Sequence, residues 1–127
     1  MTDFKAPARI RDRSVYAEFH ALNLSCCACK RIPAFRCEAH HILHRSQGGD
    51  DVLANLAPLC RLCHAAEHGN PYTTGGVRIT PEFVRAAIAA WIREHDDAET
   101  YLIGKLGPGE ADDFVQRLER QRLRLCR

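Results

Sequence analysis

The side chains best suited to chemistry are concentrated between Cys26 and His68. Cys26-x-x-Cys29 and Cys60-x-x-Cys63 each have the two-residue gap that lets both thiolates of a pair meet one tetrahedral ion while backbone amides support the sulfurs. An ion closed by four protein thiolates has no open position. The two pairs therefore predict one structural Zn2+ that ties the segment before a strand to the start of a helix. Only Ala28 separates Cys27 from Cys29, a poorer geometry, so Cys27, Cys37 and Cys126 are expected to be free thiols. Seven cysteines that were merely small buried side chains would give no reason for two matched pairs.

A second group follows the first: His40, His41, Asn55, His64 and His68. His64 and His68 are four apart on an expected helix, so their imidazoles share a face and can bind one ion. Cys63 lies about 100° round that helix from His64, which separates the thiolate site from the histidine pair. On a strand His40 and His41 point to opposite faces, and both reach one site only if the strand bends or meets its partner edge on. On residue types alone, a second structural zinc and a catalytic cation fit equally well. Arg45, just past the strand, fits a phosphate contact or a solvated surface position. His20 and His95 fall on expected helices and read as surface or packing residues.

The elements that must position these groups follow from hydrophobic spacing. Asp12 to Leu22 reads as a helix whose face is Val15, Phe19 and Leu22, preceded by a basic arm that suits either docking or reaching nucleic acid. Residues 37–43 read as a strand, 45–55 as a loop with a Gly48-Gly49-Asp50 turn, then a short strand and a helix over 60–68. Gly48 and Gly49 are expected to serve backbone shape through positive φ. Gly69-Asn70-Pro71 ends that helix, and Thr74-Gly75-Gly76 suits a small hairpin. Thr80-Pro81-Glu82 starts a further helix with a capping hydroxyl, an early proline and an acid at the positive dipole end. Its stripe of Val84, Ala87, Ile88, Trp91 and Ile92 belongs to core packing. Gly104 and Gly107-Pro108 are expected breaks, after which 110–125 has helical spacing in Phe114, Leu118, Gln121 and Leu125. Arg117, Arg120, Arg122, Arg124 and Arg127 give that helix a basic end suited to solvent or to phosphate.

A chain of 127 residues, 46% hydrophobic and 27% charged, closes one modest core. The expected organisation is a single domain over 1–127, with a motif core at 26–69, a basic arm and helix at 1–25 and a helical extension at 80–127. No apolar run suits a membrane span and the start lacks a secretory stretch, so a cytoplasmic location is expected, with cysteines used for metal. The net charge of +2 names no partner, but residues 1–36 carry seven Lys/Arg against three acids, ahead of a slightly acidic centre.

The ordered string resembles the HNH endonucleases. It runs Cys26-x-x-Cys29, Glu38-Ala39-His40-His41-Ile42, Arg45-Ser46-x-Gly48-Gly49-Asp50, Asn55-Leu56-x-Pro58-Leu59-Cys60-x-x-Cys63-His64 and then His68, about a third of the chain. The resemblance implies an α+β fold: a small ββα-metal (His-Me finger) core with zinc knuckles, flanked by α-helices at both ends. It further implies metal-dependent hydrolysis of phosphodiester bonds in DNA. His41 matches the general base and Asn55 the asparagine that fixes the loop and orients the base. His40, His64 and, less firmly matched, His68 correspond to ligands of one catalytic divalent cation, Mg2+, Mn2+, Ni2+ or Zn2+. His44 stands where relatives often carry a less polar residue. DNA is the implied partner, and a homodimer or a phage packaging or recombination partner fits the same resemblance, which for a phage-encoded chain means the host cytoplasm. A module of the same fold that binds nucleic acid without catalysis is the competing expectation, disfavoured because binding alone needs no base beside a metal.

Overall fold

The computed structural model describes residues 9–31 and 36–125, with side chains through Arg120. Cys126, Arg127 and the first eight residues of the expected arm lie outside the described residues, as do the side chains of Gln121, Arg122, Arg124 and Leu125. The fold is mixed α+β, with five α-helices and two small antiparallel sheets.

Helix α1 (Ser14–Ala21) is shorter than expected. It buries Val15 and Phe19 against Leu56, but Leu22 lies beyond its end and is 55% exposed. Asn23 turns the chain at φ 48° directly after Leu22, so the helix is not continued. Residues 26–31 form a tight knuckle, closed by hydrogen bonds from Lys30 N to Cys26 O and from Cys26 N to Arg31 O, with Lys30 in the left-handed region. Cys27 N donates to Pro58 O at 2.9 Å and fixes the knuckle to the sheet.

Strand β1 (Glu38–His41) pairs antiparallel with β2 (Leu56–Leu59), in the register Glu38 to Leu59 and His41 to Leu56. The expected strand over 37–43 thus loses three residues. Leu43 leaves the ladder because Asn55 takes its amide. Between the strands the expected loop contains two 3₁₀ turns, Arg45–Gln47 and Leu53–Asn55. Gly48 ends the first at φ 86°, the positive angle expected. Gly49 is required for a different reason: a Cβ there would lie 1.7 Å from Leu43 O.

Helix α2 (Arg61–Glu67) completes the ββα unit, with Cys60 as its cap. Strands β3 (Tyr72–Thr74) and β4 (Val77–Ile79) form the expected hairpin, turned by Gly75 and Gly76 at positive φ. Thr80 Oγ1 accepts from Phe83 N at 3.1 Å and starts α3 (Pro81–Glu94). One expectation fails beyond this point, because Gly104 does not break the chain. It lies within α4 (Asp96–Leu106), and the turn comes at Gly107, at φ 85°, before α5 (Pro108–Leu125). An exposed helical glycine costs only about 1 kcal/mol, which buried Ala98 and Leu102 offset by packing beneath it.

Val84, Ile88 and Ile92 of α3, Leu102 of α4 and Val115 of α5 share one core with Ile42, Leu59, Ala66 and the cysteines. Trp91 and Ala87 pack at its edge, and His95 stacks on Trp91 at 3.6 Å. None of the described helices is long and apolar enough to cross a membrane.

Candidate active site

The four paired cysteines meet between the knuckle and the start of α2. Their sulfurs all lie within 4.8 Å of one another, Cys26 and Cys63 are fully buried, and Cys29 Sγ is 3.8 Å from Cys60 Sγ. A tetrahedron with metal–sulfur bonds of about 2.3 Å has edges of about 3.8 Å, so the set fits one thiolate-bound ion. Cys63 N points at Cys60 Sγ at 3.4 Å, and Tyr72 Oη lies 3.0 Å from Cys63 Sγ. A hydrogen bond from Cys63 lowers the Cys26 thiol to about 4, while Cys63 itself is pushed up by holding the shared proton. Burial raises Cys27 to about 12 and Cys37 to about 11. Those two stay protonated, as expected of free thiols, and the six described cysteines form no disulfide.

Beside this cluster opens a cleft of about 450 Å³ between β1, the turn after it, α1 and α2, lined by His40, His41, His44, His64, His68, Tyr16 and Arg45. The expected opposition of His40 and His41 is resolved within it. Both line the cleft, yet each engages a different wall. The His40 ring, 4% exposed, meets His64 edge to face at 5.3 Å and His44 at 5.7 Å. Burial, followed by the neighbouring imidazoles, lowers His40 to about 3, so at neutral pH it is an uncharged imidazole with one nitrogen lone pair available to a metal. His64 follows His68 round one helix face at 5.1 Å between rings. Glu38 Oε1 accepts from His64 Nδ1 at 2.8 Å, leaving Nε2 as the nitrogen free for a ligand.

His41 turns the other way. Its Nε2 lies 2.9 Å from Asp51 Oδ1 and 3.5 Å from Tyr16 Oη. A carboxylate only accepts, so Nε2 carries the hydrogen and Nδ1 keeps its lone pair. Burial is the largest influence on His41 and lowers it below 6.5, while the bond to Asp51 acts in the opposite direction. Asp51 is itself held on every side: Arg9 Nη2 donates at 2.6 Å, Tyr16 Oη at 3.3 Å and Asp12 N at 3.0 Å. Burial opposes its ionisation, but the bonds from His41 and Asp12 N and the charge of Arg9 hold its carboxyl near 2. Arg45 Nη2 donates to Tyr16 Oη, and its 59% exposed side chain stands at the cleft rim.

Asn55 is fully buried and lies behind the cleft. Its Oδ1 accepts from Leu43 N at 2.8 Å, and its Nδ2 donates to Leu43 O at 3.0 Å and Asp50 O at 3.1 Å. It therefore ties the end of β1 to the Gly49-Asp50-Asp51 turn.

Residues 25–70 match the family model described as HNH endonuclease. The ββα unit lies within the matched residues and is similar to that family. No curated protein and no solved structure matches the chain.

Within the matched residues, every residue of the expected base and cation set lines the one cleft. The ligand atoms are not equally close. Among the described residues two groups have all ligand atoms within 4.8 Å: the four cysteines, and His40 with His44 and Glu67. Four residues of the site had no role in the sequence reading: Asp51, Tyr16, Glu38 and Glu67. The Asp50-Asp51 doublet after two glycines looked like turn chemistry, and Tyr16 sits on a helix outside the motif. Glu38 lies inside the motif, two residues before His40, a spacing that puts both on one face of a strand.

Proposed function

We propose that the chain is a metal-dependent endonuclease that hydrolyses phosphodiester bonds in DNA, with His41 as general base and one divalent cation. The observation that carries this reading is the His41–Asp51 pair, set in the same cleft as the neutral His40 and the Glu38-oriented His64. Its support beyond geometry is the match of residues 25–70 to an endonuclease family.

In this reading Asp51 fixes the tautomer of His41, and Nδ1 takes a proton from the attacking water. A positioned base of this kind contributes about 10²- to 10⁴-fold. Being lowered below 6.5 by burial, His41 is already deprotonated at neutral pH and needs no further tuning. Tyr16 holds the ring from one side and links it to Arg45, whose exposed guanidinium suits a phosphate oxygen at the rim. His40, His64 and His68 would hold the cation, which when bound stabilises charge on the phosphate and on the leaving 3′ oxygen. Asn55 acts at one remove by keeping the turn that carries Asp51 against β1. The four cysteines are assigned a structural zinc, the ion whose tetrahedral thiolate geometry they match.

Cleavage of supercoiled plasmid tests the function. Purified protein is treated with a chelator mild enough to leave the four-thiolate ion in place, and Mg2+, Mn2+, Ni2+ or Zn2+ is returned singly. Nicking or linearisation that requires an added cation is the expected result. A folded, zinc-loaded protein that cleaves with none of them, yet shifts DNA in a gel, would replace the nuclease by a binding module.

A further inference from the structure

We propose that His40, His44 and Glu67 form an alternative cation site, which shares His40 with the cleft set and is suited to a borderline transition ion such as Zn2+ over Mg2+. Behind the cleft lies an inner cavity of about 170 Å³, enclosed by the first 3₁₀ turn, α2, α3 and α5. His40 and His44 line both spaces, whereas His64 and His68 line the cleft and Glu67 lines the inner cavity. His40 thus belongs to both donor sets, and its single lone pair serves one ion at a time.

Three observations single out the inner set. One ligand atom from each of His40, His44 and Glu67 falls within 4.8 Å of the other two. Glu67 is 7% exposed, and its Oε2 is buried with no hydrogen-bond partner. Its charged neighbours stand at ion-pair distance and not in hydrogen bonds to Oε2: Arg85 Nε, in the same cavity lining, is 3.8 Å from Oε1 and His68 Nδ1 is 3.5 Å from Oε2. A buried carboxylate oxygen left unpaired costs free energy, and a cation shared with two imidazoles removes that cost. Two histidines and one glutamate are a donor set of zinc sites that keep a position open, while Mg2+ prefers oxygen donors in an octahedron. An ion with ligand bonds near 2.1 Å needs donors about 3.4 Å apart in a tetrahedron. The exposed His44 ring can make that closing movement.

The test uses the full chain carrying H64A and H68A, which removes the cleft set apart from His40 at positions that are only partly buried or exposed. With the four-cysteine site filled by zinc, Co2+ is titrated and its visible d–d absorption followed. A bound ion of the inner site gives that absorption without thiolate charge transfer. The expected result is saturable uptake that weakens by at least about tenfold on adding H44A, and likewise on adding the isosteric E67Q. Unchanged Co2+ affinity in both added variants, or no uptake in the H64A/H68A chain, overturns the site. Because this background lacks two proposed catalytic ligands and the readout is binding, the outcome is independent of whether the unmodified chain cleaves plasmid.

Discussion

At the scale of residues, the proposed mechanism depends on one ring held in one tautomer. Asp51 raises His41 and burial lowers it more, so the net shift is downward. D51N keeps the shape but removes the charge that favours imidazolium. The acid limb of the kcat/KM profile, set by a group below 6.5 in the native chain, should therefore move to still lower pH in D51N. Its plateau should also fall by about 10- to 10²-fold, a part of what a positioned base supplies. A pH–rate series on both proteins checks the two effects together, and an unchanged limb would separate Asp51 from the base. The histidines, Asn55 and the cysteines could be read from the chain because ligand types at fixed spacings have few alternative uses. Asp51 and Tyr16 could not, since they reach His41 through tertiary packing and not through spacing.

At the scale of elements, the Gly49-Asp50-Asp51 turn is a point where the ββα unit is tied to the segments before and after it. Arg9 Nε donates to Gly49 O at 2.6 Å and Ile10 N to Asp50 Oδ1 at 2.6 Å, so the described part of the basic arm is a docking segment. From the other side Tyr101 Oη donates to Asp50 Oδ2 at 2.8 Å, and Lys105 Nζ lies 3.0 Å from the same oxygen. K105M should cost about 2 kcal/mol, the value of a charge-assisted bond, and lower Tm by a few degrees. G49A should do more harm, because its Cβ meets backbone at 1.7 Å and not a movable side chain. Thermal melts rank the two, and a G49A protein as stable as K105M would contradict the close approach. Helix α4 was the element hidden in the sequence: Gly104 looked like a break, but tertiary packing of Ala98 and Leu102 overrides its weak propensity. The boundaries of α1 and β1 were hidden for the same kind of reason, since Asn23 and Asn55 end regular structure by local geometry that apolar spacing does not register.

At the scale of the whole molecule, a small core is closed around the four-cysteine cluster, which could hold one ion, and around the buried carboxylates. Stripping that ion with a strong chelator should abolish cooperative unfolding, as read by near-UV circular dichroism, because its binding free energy is folding free energy. Asp50 and Asp51 both titrate below their usual range in the folded chain, Asp51 near 2. A depressed carboxyl stabilises fully above the unfolded value near 3.9 and loses that contribution as pH falls through the folded value. The stability gap between the native chain and D51N at pH 5 should therefore narrow by pH 2.5, with any metal release common to both. In the proposed mechanism His41 removes the proton from water while other residues hold the cation and the substrate. This role of His41 is tested most directly by single-turnover cleavage of duplex DNA by native protein and H41A, with DNA and cation affinities measured in parallel. A loss of about 10²-fold or more in rate with both affinities unchanged is the predicted result, and an H41A protein that cleaves at the native rate would contradict it.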